Sequence, residues 1–155
     1  MKETDLAYFA GLFDGEGCIS IVKSHQPTKH YHYILCLRIS SIDEWLMRLW
    51  QSNFGGSLRK SIPSTPCVTS GATRKPVWIW QGWARTAVPV LEALLPYLRL
   101  KRPQAEIALK FQERVTENSK KQGKSLSSEE IAVREAQRIL ISNLNQRKVL
   151  GGKNE

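Results

Sequence analysis

Asp14 and Glu16 are the residues of this chain best placed to do chemistry, two carboxylates set among glycines in Phe9-Ala10-Gly11-Leu12-Phe13-Asp14-Gly15-Glu16-Gly17. Upstream, Leu6, Phe9, Ala10 and Phe13 recur at i, i+3, i+4 and i+7, which reads as a helix with one apolar stripe, capped by Thr4 or Asp5. A helix C-terminus already carries roughly half a negative charge, so two acids in its last turn require a compensating cation or hydrogen-bond donors. The alternative is that Glu16 is a solvated helix-end acid and the glycines only a C-cap. Gly15 and Gly17 free the backbone to turn, and Cys18-Ile19-Ser20-Ile21-Val22 then alternates as a strand does. Glu16 thus stands at a helix-to-strand junction.

The elements that must position this junction follow from periodicity. The order is helix (5–16), strand (18–24), polar hairpin loop (25–30), strand (31–41), helix (43–54), strand (57–62), loop (63–76), strand (77–82), helix (84–98), then two further helices. The second of these opens at a capping box, Ser127-Ser128-Glu129-Glu130, after the basic loop around residues 118–124. An αββ unit occurs twice, predicting a four-stranded antiparallel sheet with helices on one face and the other face free. In residues 31–40 the odd positions Tyr31, Tyr33, Leu35, Leu37 and Ile39 are apolar, so His32, Cys36, Arg38 and Ser40 point the opposite way. Both alternating sets are apolar in Val77-Trp78-Ile79-Trp80-Gln81, which leaves its register open; two Trp on one face favour the core, sending Gln81 outward.

Composition points the same way. A chain of 155 residues, 41% apolar with five Trp, can bury a real core, and residues 1–150 read as one domain with a frayed tail at 151–155. Lys and Arg number 23 against 14 Asp and Glu, a formal charge of +9 that favours a polyanionic partner. A curved sheet can enter a major groove, and the candidates for contact are Ser20, Lys23, His32, Arg38, Ser40, Arg59, Ser61, Arg74, Lys75 and Gln81. Nothing in the sequence reads as a membrane span or cleavable signal, so the expected location is intracellular, in cytoplasm or an organelle matrix. Cys18, Cys36 and Cys67 are three, widely spaced and without C-x-x-C, and read as free thiols. His25, His30 and His32 have no further ligand at zinc-site spacing and are expected to meet solvent or phosphate. Ala7, Ala10 and Gly11 are small enough to let a second helix approach closely in water.

The run Phe9 to Gly17 resembles the signature helix of the LAGLIDADG homing endonucleases, with Phe9 for the leading Leu, Phe13 for Ile, Gly15 for Ala and Glu16 for the second Asp. Leu94-Leu95-Pro96-Tyr97-Leu98-Arg99-Leu100-Lys101-Arg102-Pro103-Gln104-Ala105 is similar to the family's segment before its C-terminal helices. Residues 39–46 and Asn53-Phe54-Gly55-Gly56 are similar to its strand-to-helix entry and helix-ending glycines, so the resemblance covers about residues 5 to 115.

What the resemblance implies is an α+β fold, αββαββα, whose four-stranded sheet is a DNA-binding saddle, with extra C-terminal helices. It implies a site-specific DNA endonuclease that makes a staggered double-strand break. Glu16, aided by the Gly15 carbonyl, would hold Mg²⁺, with Ca²⁺ or Mn²⁺ as substitutes; Lys101 matches a basic residue beside the water network. Ser41 falls where the family often places Gln or Asn, a departure that leaves its solvent-organising role open. The chain carries one signature motif, and cutting both strands of a near-palindromic duplex then calls for a homodimer, with Ala7, Ala10, Gly11 and Asp14 at the contact. The alternative is a non-cleaving nucleic-acid binder of the same fold, an RNA maturase or transcription regulator, with intron RNA as a partner.

Overall fold

The computed structural model describes residues 1–25, 31–62, 75–119 and 126–146. The hairpin loop, most of the loop between the third and fourth strands, Cys67, Arg74, the basic loop and the C-terminal tail lie outside these residues. Nine elements follow in order: α1 (Glu3–Glu16), β1 (Gly17–His25), β2 (Tyr31–Ser41), α2 (Glu44–Phe54), β3 (Ser57–Ser61), β4 (Val77–Trp83), α3 (Ala84–Leu94), α4 (Arg102–Ser119) and α5 (Ser128–Asn145). The fold is α+β, a four-stranded antiparallel sheet in the order β1-β2-β4-β3.

Alternation along the strands sends one set of side chains into the helices. Ile19, Ile21, Tyr33, Leu35, Leu37, Ile39 and Trp80 are buried there against Phe9, Phe13, Met47, Trp50, Leu91 and Leu94. Trp50 is the hub, edge-on to Phe9 at 5.4 Å between ring centroids and to Trp80 at 5.6 Å, and stacked on Phe13 at 5.8 Å. Pairing of Ser41 with Trp78 and of Ile39 with Trp80 fixes the register the sequence left open: both Trp face the helices and Gln81 faces away. Trp78 is half buried, with Arg48 and Lys60 lying over its ring at 5.3 and 5.6 Å.

Three glycines are dictated by close approach or by backbone conformation. Gly17 takes ordinary extended backbone, φ −76°, but a Cβ there would meet the Phe13 ring at 2.4 Å. The chain therefore leaves α1 without a left-handed residue, and Gly15, still inside the helix with open space around it, does no turning. Gly55 and Gly56, at φ 66° and 79°, end α2 in a conformation L side chains avoid. The Gly55 carbonyl accepts the Trp80 indole N–H at 2.6 Å. Trp80→Phe should therefore cost about 2–3 kcal/mol, mostly lost buried volume and in part the lost hydrogen bond to the Gly55 carbonyl. A chemical-denaturation midpoint with unchanged slope measures this.

Three boundaries differ from the sequence reading. The α1 cap sits one turn earlier: Lys2 is the N-cap, and its backbone N–H donates to the Asp5 carboxylate at 3.0 Å. The third helix stops at Leu94 and the chain turns through residues 95–97, ahead of 98. At α5 the Ser127 hydroxyl accepts from the Glu130 N–H at 3.2 Å. Glu130 does not reciprocate; its buried carboxylate bonds Arg134 and Arg114 at 2.8 Å each, tying α5 to α4.

Candidate active site and nucleic-acid interface

The end of α1 is held by a turn from the other half of the chain. Asp14 is buried, and its carboxylate accepts the backbone N–H groups of Arg99 at 2.8 Å, Leu100 at 3.1 Å and Lys101 at 2.9 Å. The Lys101 ammonium donates to the Asp14 backbone carbonyl. One acid of the pair thus receives donors, and the helix terminus receives a cation at its negative end, the compensation its sequence demanded. Asp14 is spent within its own chain, so it leaves the set assigned to a contact between copies. Ala10 leaves it too, being wholly enclosed in the core.

Glu16 differs in every respect. It is exposed, and among the described residues no hydrogen bond or ion pair engages its carboxylate. It projects two residues beyond the carbonyl that holds Lys101. Ser41, half buried at the end of β2, accepts the Asp43 N–H at 3.1 Å, and its own O–H is left to donate. Among the described residues no three His, Cys, Asp or Glu side chains gather as a metal-holding group, so one chain brings a single exposed carboxylate to this end. Two hard oxygens are on offer, the Glu16 carboxylate and the Gly15 carbonyl, the latter in the last turn where intrahelical donors run out. Such donors fit Mg²⁺ or Ca²⁺ and would suit a soft metal poorly.

The outer surface of α1 carries a stripe of small residues beside the exposed Tyr8. Ala7 and Gly11 are exposed, and a Cβ added at Gly11 or Gly15 would meet nothing within 4 Å. A cavity of about 590 Å³ opens beside them, lined by Ala7, Gly11, Pro96, Tyr97 and Arg99 among others.

The sheet face away from the helices forms a second surface. Its rows, read from strand pairing, are Cys18–Arg38–Gln81–Ser57, Ser40–Ile79–Arg59, Ser20–Cys36–Trp83, Val22–Ile34 and Ser24–His32, with Val77–Ser61 at one end. No Asp or Glu stands in any of these rows. His32, Arg38 and Arg59 are exposed; Ser40, Ser61 and Gln81 are half buried. The Ser20 hydroxyl leans on the Cys36 carbonyl at 3.4 Å. Cys36, expected outward, is covered between Ser20 and Trp83, and burial pushes its thiol up. Cys18 and Cys36 are both free thiols. Lys75 is exposed just before β4.

Lys23 belongs to the other face. It pairs with Tyr33, whose neighbours in alternation are core residues, and its ammonium lies 3.1 Å from Glu135 of α5. A one-residue step along a strand reverses the face, so Ser20 and Lys23 cannot share one. Glu135 also accepts the Tyr33 hydroxyl at 2.8 Å and Arg138 at 2.8 Å. Arg138, then the Tyr33 hydroxyl and Lys23, hold its carboxyl down at about 2. A carboxyl depressed in the folded state stabilises fully above its ordinary range near 4.5, and that contribution is lost as pH falls towards 2. Protection factors of the amides in β1 and β2 should therefore fall over this window, and Glu135→Gln should remove most of the dependence. Asn145, at the far end of α5, donates to the Ile19 carbonyl at 2.8 Å and so braces the edge strand.

The chain matches solved structures over nearly its whole length. With the homing endonuclease I-CvuI, seen in complex with a DNA target, the TM-score is 0.68 at 20% identity, covering 95% of this chain and 85% of that one. This is the LAGLIDADG fold. The meganuclease I-SmaMI, bound to uncleaved DNA in the presence of calcium, gives a TM-score of 0.68 at 14% identity over 89% of this chain but 45% of its own. The archaeal intron-encoded I-Vdi141I, complexed with DNA, gives 0.55 at 10% identity over 94% and 99%. No protein-family model matches the chain, and no curated protein matches its sequence. Among the described residues no helix of this LAGLIDADG fold is long and apolar enough to cross a membrane.

Trp83 was outside the expected strand, yet Gln81 and Trp83 share a face by simple alternation, which was the available signal. The Glu135 link had none, since 102 residues separate it from Tyr33.

Proposed function

We propose that this chain is a divalent-metal-dependent endonuclease that cuts duplex DNA at a specific site as a homodimer. The observation that carries the reading is the contrast at the end of α1, where Asp14 is buried and fully committed while Glu16, two residues on, is exposed and uncommitted. A helix end gains nothing from such an acid, so its position is costly unless it is used.

Glu16 and the Gly15 carbonyl are the residues that would hold the cation. When bound, it would lower the pKa of an attacking water and offset charge on the leaving 3′ oxygen. Lys101, fixed by Asp14, presents an ammonium at the same helix end, where it opposes the charge that builds on a phosphate under attack. The Ser41 hydroxyl, which accepts the Asp43 N–H with one lone pair, would donate its O–H to a water at this site. His32, Arg38, Arg59 and Gln81 face the bases, while Ser20, Ser40, Ser61 and Lys75 supply hydroxyl and charge contacts; Arg74, outside the described residues, stays with this set as a phosphate contact.

One carboxylate per chain calls for two copies to cut two strands. The open stripe of Ala7, Gly11 and Gly15 and the cavity beside it supply a surface on which a second α1 fits closely. The lengths of similar chains agree with this: this chain matches I-CvuI and I-Vdi141I over 85% and 99% of their length, but only 45% of I-SmaMI.

The test is selection of randomised duplexes by the purified protein in Ca²⁺, followed by transfer to Mg²⁺. The reading expects a near-palindromic consensus, two chains per duplex in sedimentation, and breaks in both strands. Bound duplexes that stay intact in Mg²⁺ would move the protein to a binding role.

A further inference from the structure

The sheet face proposed to meet DNA is not uniformly polar. Val22 and Ile34 are direct cross-strand partners on it, Trp83 stands in the next row inward, and Ile79 and Val77 alternate with Gln81 along β4. Val22 is 38% exposed and Trp83 is 43% exposed, so these are not core residues seen edge-on. The two apolar patches lie on either side of the row that holds Arg38 and Gln81. Four residues along a strand separate that row from Val22–Ile34, about 13 Å or four base steps of duplex.

We infer that Val22, Ile34, Ile79 and Trp83 read the C5-methyl groups of thymines in the major groove, and so make this surface selective for DNA over RNA. The inference rests on the DNA-endonuclease reading above. Base edges in the major groove present hydrogen-bond donors and acceptors, and the thymine methyl is the apolar group that projects from them, where cytosine carries only a flush C5–H. An aliphatic side chain set against any other edge strips water from a polar group and returns nothing, at a cost that a binding site cannot repeat over several positions. A protein occupant is disfavoured by charge: Arg38 is exposed between the patches, Arg59 is exposed beside Ile79, and no carboxylate stands in any row of the face, so a second copy laid face to face would oppose like charges. A polyanion that carries methyl groups between its acceptors fits both features. Uracil lacks the methyl, and the deep, narrow major groove of A-form RNA does not admit a sheet.

The experiment uses the full chain and the duplex consensus selected in Ca²⁺, prepared once with thymine and once with every thymine replaced by deoxyuridine. Base pairing and phosphate charge are the same in both. Each contacted methyl should be worth about fourfold in affinity, so a duplex that loses two or more should bind at least about fifteenfold more weakly. Val22→Thr, which keeps the shape and β-propensity of the side chain, should narrow the thymine-to-deoxyuridine ratio, while Arg59→Gln should weaken both duplexes alike. Equal affinity for the two duplexes would overturn the inference and leave DNA binding standing. Failure to bind either duplex would overturn the DNA reading itself, and the inference with it.

Discussion

Glu16→Gln is expected to bind the selected duplex within about twofold of the wild-type affinity and to leave both strands intact, with cleavage down by about three orders of magnitude or more. Carboxamide for carboxylate preserves size and exposure but removes the charge that a hard divalent cation requires, and a cation's electrostatic help to a phosphate reaction is worth several kcal/mol. Nothing else in the fold depends on this side chain, because among the described residues it has no hydrogen-bond or ion-pair partner. Stability should move in the opposite direction to activity. Removing a negative charge from a helix C-terminus relieves about 0.3–1 kcal/mol of unfavourable interaction. A variant that is slightly more stable, binds DNA and does not cut would mark an acid kept for chemistry at structural cost. Thermal melting, a binding isotherm in Ca²⁺ and single-turnover cleavage in Mg²⁺ separate the three quantities.

Asp14→Ala is expected to act in the reverse manner, lowering stability by about 3–5 kcal/mol, or a fall in Tm of about 10 °C. The carboxylate is the shared acceptor for the N–H groups of Arg99, Leu100 and Lys101. Its removal leaves three donors at a part-buried turn without partners, and that turn joins the α3 end to the α4 start. Cleavage should fall by more than the folded fraction accounts for, because the Asp14 carboxylate anchors the Lys101 backbone and so places the ammonium that donates to the Asp14 backbone carbonyl. Asp14→Asn retains one acceptor oxygen and should lie between the two. A loss below about 1 kcal/mol for Asp14→Ala would mean that the turn is held by other contacts.

Much of this was legible in the sequence because it lies in local periodicity. The strands of the sheet and the helices against it follow from apolar alternation and spacing. The demand for compensation at the α1 end followed from charge alone, and Lys101 and three backbone amides meet it. What stayed hidden depended on distance along the chain. Nothing local marks Asp14 as an acceptor for a turn 85 to 87 residues away, so its acid was assigned to a contact between copies. Ala10 was grouped with Ala7 because both are small, although only helical phase tells which one faces the core. Lys23 was placed with Ser20 on charge, against the period-two rule that sets it beside Tyr33 and Glu135. Gly15 and Gly17 looked like turn residues; the aromatic packing of Phe13 against β1 gives Gly17 a steric reason that no local signal carries.

The most direct test of the central claim is strand-resolved mapping of the ends produced from the selected duplex by wild type and Glu16→Gln, at matched occupancy and in the same Mg²⁺. Wild type should give one cut on each strand, offset and symmetric about the centre of the near-palindrome, and the variant should give none from an equally occupied duplex. Equal cutting by the variant, or an occupied and intact duplex with wild type, would contradict the assignment of chemistry to the end of α1.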